Sequence, residues 1–188
     1  MATITKIDTG EPELQAGQYL TFRLAGEQFA IGILHIKEII EYGHLTKVPL
    51  TPDFIRGVIN LRGAVVPVID LSTRFWNKPS QLNPRSCIVI LELQYRDLSL
   101  VVGVIVDAVI AVLDIAADNI EPPPAFGTGI TPECIAGMGK LDDEFIIILN
   151  VDKVLSMDDI SLLQGAGTES KETEQHESQD VKADDRRN

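Results

Sequence analysis

The segment Phe54-Ile55-Arg56-Gly57-Val58-Ile59-Asn60-Leu61-Arg62-Gly63-Ala64-Val65-Val66-Pro67-Val68-Ile69-Asp70-Leu71 reads as two short apolar strands joined by a tight Leu-Arg-Gly turn. It returns in weaker form 80 residues later, where Gly57, Leu61, Val65 and Asp70 find counterparts in Gly137, Leu141, Phe145 and Asn150. A repeat of that spacing means a chain built from two similar halves. An upstream stretch repeats at an offset of 73, carrying Ile36 onto Val109, Ile39 onto Val112 and Pro49 onto Pro122. The longer loop from Pro122 to Pro132 accounts for the growth of the offset to 80. Duplication of a strand unit with no catalytic constellation in either copy points to a binding scaffold.

The 188 residues leave room for one ordinary domain or two very small ones sharing a core. A net charge of −12 argues against nucleic acid as a partner, because phosphate binding needs a basic face. Anionic membrane surfaces would be repelled for the same reason. The amino terminus has no signal-peptide run, and the longest apolar block, Leu98 to Leu113, is interrupted by Asp107. That block is rich in Val and Ile and suits buried strands better than a membrane helix. A soluble cytoplasmic protein without membrane insertion is the expectation.

Residues 1–17 form a polar leader, and the strand pattern starts at Gln18. Tyr19, Phe22 and Leu24 lead into a Gly26-Glu27 turn and then Phe29–Ile33, a hairpin pattern. Ile36–Tyr42 alternates as a further strand, and Pro49 and Pro52 break the chain before the Val58–Asp70 hairpin. A short helix is expected over Leu71–Trp76, then a linker from Asn77 to Pro84. The second half restarts at Ser86–Leu93 and Leu98–Val106, continues through Val109–Leu113, and ends with Glu144–Asn150 and a helix from Asp152 towards Leu155, with Asp158–Leu163 as its candidate extension. About five short strands per half predict an all-β chain, with a few short helices, as two small barrels or a sandwich sharing an apolar interface. The folded domain spans 18–160, with first and second barrels at about 18–80 and 81–160. The acidic remainder, 161–188, is too polar to offset its ordering entropy and should be disordered.

No enzyme motif survives inspection. Gly137-Met138-Gly139-Lys140 lacks the spacing of a phosphate loop, and Gly127-Thr128-Gly129 sits among prolines. His35, His44 and His176 have no Cys or carboxylate at metal-ligand spacing, so neither a metal nor a cofactor is expected. Cys87 and Cys134 lie in apolar surroundings and read as buried thiols. Asp142-Asp143-Glu144 falls where the repeat places a hairpin turn, and Asp70 and Asp107 follow strands as amide acceptors. Arg62 stands out. It is either an ordinary solvated turn residue or a cation whose flat fork of donors meets a carboxylate-bearing helix. Its counterpart in the second half, Asp142, has the opposite sign.

The stretch from Phe22 to Leu155 resembles the CheW family, the adaptors of bacterial chemotaxis arrays. The resemblance rests on Ile36-x-Glu38-Ile39, Thr46-x-Val48-Pro49, Asn60-Leu61-Arg62-Gly63, Pro67–Leu71, Val106-Asp107-x-Val109 and Ile120-Glu121-Pro122. It implies two intertwined five-stranded β-barrels around a common apolar core, with no catalytic activity and no cofactor. It also implies two partners: the cytoplasmic tip of methyl-accepting chemoreceptors, held in a groove between the barrels, and the regulatory domain of the histidine kinase CheA. By position, Ile33, Ile36, Glu38, Arg62 and Ile105 become candidates for receptor binding, and Glu121 and Phe126 for kinase binding. A helix laid in an apolar groove is a standard recognition mode. Two other readings stay open: a paralogue serving another chemosensory pathway such as surface motility, and a small cysteine hydrolase. The hydrolase would need a low-pKa thiol near His35 or His44.

Overall fold

The computed structural model describes residues 16–125, 127 and 129–168. Along the chain run β1 (Gly17–Leu24), β2 (Glu27–Gly32), β3 (Ile36–Glu41), β4 (Ile55–Leu61), β5 (Ala64–Asp70), α1 (Leu71–Trp76), β6 (Cys87–Tyr95), β7 (Leu98–Val106), β8 (Ala108–Ile115), β9 (Ile120–Glu121), β10 (Ile135–Leu141), β11 (Glu144–Leu149) and α2 (Met157–Thr168). The strands form two curled sheets, ordered β8-β1-β2-β11-β10-β9 and β3-β6-β7-β5-β4.

These orders show an exchange. The hairpin β1–β2 from the first half joins β8, β10 and β11, while its counterpart β6–β7 joins β3, β4 and β5. Each sheet is therefore assembled from both halves, and a division at residue 80 separates sequence halves but not sheets. The repeat persists in the pairing register: parallel Val68↔Gly103 in one sheet corresponds to Ile148↔Ala30 in the other. Even the bulges repeat. β3 bulges between Ile36 and Glu38, and β8 at the matching place between Val109 and Ala111. β4 bulges between Ile55 and Gly57, and β10 between Ile135 and Gly137. Such a bulge redirects the strand and increases its twist, which helps a short sheet to curl.

The six-stranded sheet exceeds the five strands implied by the resemblance only through β9, a two-residue strand. β9 sets Glu121 opposite Met138, and in the other sheet the isolated bridge Thr46↔Val58 occupies the equivalent place. Gly57 permits that bridge. With φ +148° it has a backbone shape that L side chains rarely adopt, and a Cβ there would lie 2.5 Å from the Thr46 carbonyl oxygen.

Alternation along each strand divides the apolar residues among three cores. Leu20, Phe22 and Leu24 of β1, Val89, Leu91 and Leu93 of β6, and Val102, Val104 and Val106 of β7 point into one large core shared by both sheets. The intervening Ile88, Ile90 and Ile105, with Val66 and Val68, fill the inside of the five-stranded sheet. Ala30, Ile115, Ile120, Ile146 and Ile148 fill the six-stranded one. Strands buried on both faces explain the near-continuous apolar runs in the sequence.

Two helices close the ends of the shared core. Asp70, fully buried, caps α1 by accepting from Ser72 N (3.0 Å) and Thr73 N (3.2 Å), and also accepts from Ser80 N (2.9 Å) and Ser80 Oγ (2.7 Å). The residues from Asp152 towards Leu155, expected as a helix, make only a 3-10 turn at Val151–Lys153. α2 covers the candidate extension Asp158–Leu163 and runs on to Thr168, so residues 161–168, which the expected domain boundary put in a disordered tail, are helical. Ile160 and Leu163 bury into the shared core and hold it there. The rest of the expected leader, residues 1–15, and of the expected tail, residues 169–188, lies outside the described residues.

Candidate partner-binding surface

β3 and β4 are the two edges of the five-stranded sheet, and its curl brings them towards each other. The β4–β5 turn holds Arg62 at φ 51° and Gly63 at φ 86°, and the Asn60 side chain accepts from Gly63 N at 2.8 Å. From this turn Arg62 reaches β3, where its Nη1 and Nη2 donate to the two Glu38 carboxylate oxygens at 2.8 and 3.1 Å. The two-pronged pair clasps the sheet where no backbone ladder joins its edges. Arg62 is 78% exposed and Glu38 24%. A face of the guanidinium and part of the carboxylate thus stay open to a partner.

The second copy keeps the turn and loses the clasp. Asp142 adopts φ 52°, nearly the value of Arg62, and the residue matching Glu38 through the register is Ala111. The duplicated backbone is conserved within the chain while the charge pair is confined to one sheet.

Directly before Glu38 lies an apolar rim. Ile33 and Ile36 are partly buried against the shared core, at the margin between the two sheets. Leu34, in the 3-10 turn Ile33–His35, projects with 96% of its surface exposed. Sequence reasoning passed over Leu34. The available signal is the break in period-two alternation after Gly32, where two adjacent apolar residues cannot both point inward.

Ile105 does not join this surface. It has no exposed area and sits inside the five-stranded sheet with Val66, Val68, Ile88 and Ile90. Its placement at a groove rim is corrected: β7 is a central strand buried on both faces, so no side chain at this position reaches a partner. Glu121 is exposed on β9, at the far edge of the six-stranded sheet, and Phe126 lies outside the described residues. The structure therefore gathers Ile33, Ile36, Glu38 and Arg62 about β3 and leaves Glu121 on the other sheet.

Other polar side chains serve the framework. Asp107 Oδ2 accepts from Ala25 N at 2.8 Å and anchors the β1–β2 turn. Burial raises its pKa above the ordinary carboxylate value, against that hydrogen bond. Glu92, partly exposed on β6, is lowered by its hydrogen bonds from Ser99 and Lys37. Burial likewise pushes up the Cys134 thiol, whose Sγ donates to Lys153 O at 3.2 Å, while Cys87 Sγ donates to Arg85 O at 3.3 Å. Cys134 thus lacks the lowered pKa that a hydrolase nucleophile needs. Among the described residues no helix is long and apolar enough to cross a membrane.

Comparison with known proteins agrees with this geometry. The family model described as a CheW-like domain matches residues 18–159. The chain is 36% identical over 163 residues to the chemotaxis protein CheW of Klebsiella aerogenes, covering 87% of this chain and 94% of that protein. It is 32% identical to the protein FrzA of Myxococcus xanthus, over 73% of this chain and 84% of that one. The crystal structure of the scaffolding protein TtCheW from Thermoanaerobacter tengcongensis superposes with a TM-score of 0.69 at 35% identity, covering 82% of this chain and 96% of that one. The chain belongs to the CheW-like family, and it is a scaffold of chemotaxis signalling rather than an enzyme.

Proposed function

We propose that this protein couples the cytoplasmic tip of methyl-accepting chemoreceptors to the regulatory domain of the histidine kinase CheA, at the cytoplasmic face of the inner membrane. The observation that carries the receptor half is the clasp beside the apolar rim. Ile33 and Ile36 offer partly covered apolar surface, and the Glu38–Arg62 pair beside them presents both signs of charge in a fixed geometry. An amphipathic receptor helix would seat its apolar stripe on the isoleucines and lay a polar residue against the clasp. Glu121 and Phe126, on the other half of the duplication, are the proposed kinase contacts. Separate surfaces suit an adaptor, because both partners must bind at once. The test is reconstitution of kinase activity on receptor-bearing membranes with and without this protein. Output that ignores its presence would sink the reading.

A second reading has one specific support, the 32% identity to FrzA. In it the same scaffold serves another chemosensory pathway with its own receptor and kinase. Co-purification from the native cell separates the two, by which kinase is recovered with the chain.

A further inference from the structure

A cleft lined by the segment that follows β3 carries a separate inference. The segment between β3 and β4 folds over the base of β4 and α1, leaving a cleft of about 960 Å³ lined by Lys47, Asp53, Arg56, Thr73 and Asn77 among others. A second hollow of about 550 Å³ shares Asp53, Thr73 and Asn77 with it and adds Arg74, so the two adjoin.

On a chain of net charge −12, three cations gather here, Lys47, Arg56 and Arg74, with Asp53 the one carboxylate among these lining residues and Asp70 and Asp159 paired with the two arginines behind it. The counter-ions do not exhaust the donors. Asp70 already accepts four hydrogen bonds from Ser72, Thr73 and Ser80, and only Nη1 of Arg56 approaches it, at 3.4 Å. Arg74 uses Nε on Val154 O and Nη2 on Asp159 Oδ2, both at 3.1 Å, leaving its other terminal nitrogen. A guanidinium carries five N–H donors, so both arginines keep donors to offer. Thr73 lines both hollows, and its hydroxyl is buried with no hydrogen-bond partner among the described residues. Lys47 is exposed on the rim.

We propose that this cleft is the docking site of the acidic segment 169–185 of the same chain. That segment carries Glu169, Glu172, Glu174, Glu177, Asp180, Asp184 and Asp185 against only Lys171 and Lys182. It follows α2 directly, and α2 begins beside the cleft, with Asp159 bonded to Arg74. The helix adds about 18 Å, and the seventeen residues beyond it span up to roughly 55 Å extended, so reach is not limiting. Tethering sets a local concentration in the millimolar range, enough for weak carboxylate–guanidinium contacts that a free acidic peptide would not sustain. Partly screened contacts of this kind weaken with salt.

The test compares amide NMR spectra of the full chain with those of a chain ending at Thr168, which keeps every element described above. At low salt the full chain should differ from the shortened one at Thr73, Arg74 and Asn77, and raising the salt towards 1 M should move those signals onto the shortened chain's positions. The exposed substitution Lys47→Glu in the full chain should produce the same movement at these three residues, with the rest of the spectrum unchanged. Identical spectra at low salt would overturn the proposal. Differences that grow with protein concentration would assign the cleft to a second molecule and overturn it equally.

Discussion

Arg62 donates two hydrogen bonds to the Glu38 carboxylate and so ties the β4–β5 turn to the opposite edge strand of the same sheet. With Arg62 78% exposed, water and salt screen the pair, which is worth no more than about 1 kcal/mol. Arg62→Glu loses that attraction and adds a like-charge contact of similar size, so it should lower Tm by no more than about 8 °C. It should still weaken receptor-linked kinase activation, because two carboxylates would then face each other beside the apolar rim. The exchange Glu38→Arg with Arg62→Glu rebuilds the clasp. Recovery of coupling in the double variant would mean that the pair acts as a unit; continued loss would mean that Arg62 itself meets the partner.

Two glycines hold strands close enough to curl. Gly57→Ala drives a Cβ to 2.5 Å from the Thr46 carbonyl and forces a side chain into a strained backbone, so it should cost on the order of 2–4 kcal/mol. Gly103→Ala puts its Cβ 2.6 Å from Ile88 Cγ2 inside the five-stranded core and should cost about 1–3 kcal/mol through overpacking. Urea unfolding reads both, and wild-type midpoints would contradict the packing described.

Asp70 is the buried hub that joins α1, the following linker and β5. Asp70→Ala leaves the Ser72, Thr73 and Ser80 amides without their acceptor and should destabilise by about 3 kcal/mol. The matching position in the second half, Asn150, makes no side-chain cap, so Asn150→Ala should cost far less. Equal losses at the two positions would contradict the asymmetry.

Asp107 sets a pH dependence of known sign. Its pKa is raised in the folded state, chiefly by burial, so the fold favours the protonated form. The unfolded chain then binds fewer protons, and this group's contribution is present below the ordinary carboxylate pKa and lost as pH rises through the raised value. Asp107→Asn keeps an oxygen for the Ala25 amide and removes the half-buried charge. It should raise the urea midpoint at pH 7, with the gain shrinking towards pH 4. A gain that grew on acidification would refute the assignment.

Much of this arrangement was legible in the residues. Asp70 capping Leu71–Trp76 and the Leu61-Arg62-Gly63 turn follow from local chemistry, and the duplication followed from spacing. The exchange of β1–β2 and β6–β7 between sheets did not, because strands buried on both faces carry no alternation to say which neighbour they join. Ile105 was placed at the rim by position in the resemblance alone, and its burial inside a central strand overrides that. Beyond Gln164, Gly165 and Gly167 weaken the helix pattern, yet anchoring by Ile160 and Leu163 overrides that local preference. Leu34 was missed because exposure of a single apolar side chain depends on a turn three residues long.

The central claim is that this chain links receptor to kinase, and its most direct measurement is kinase autophosphorylation on receptor-bearing membranes. The account predicts that output rises on adding the wild-type chain, falls again with attractant, and rises far less with Arg62→Glu at equal folded concentration. Kinase output unchanged by the wild-type chain, with receptor and kinase both shown to be active, would contradict it.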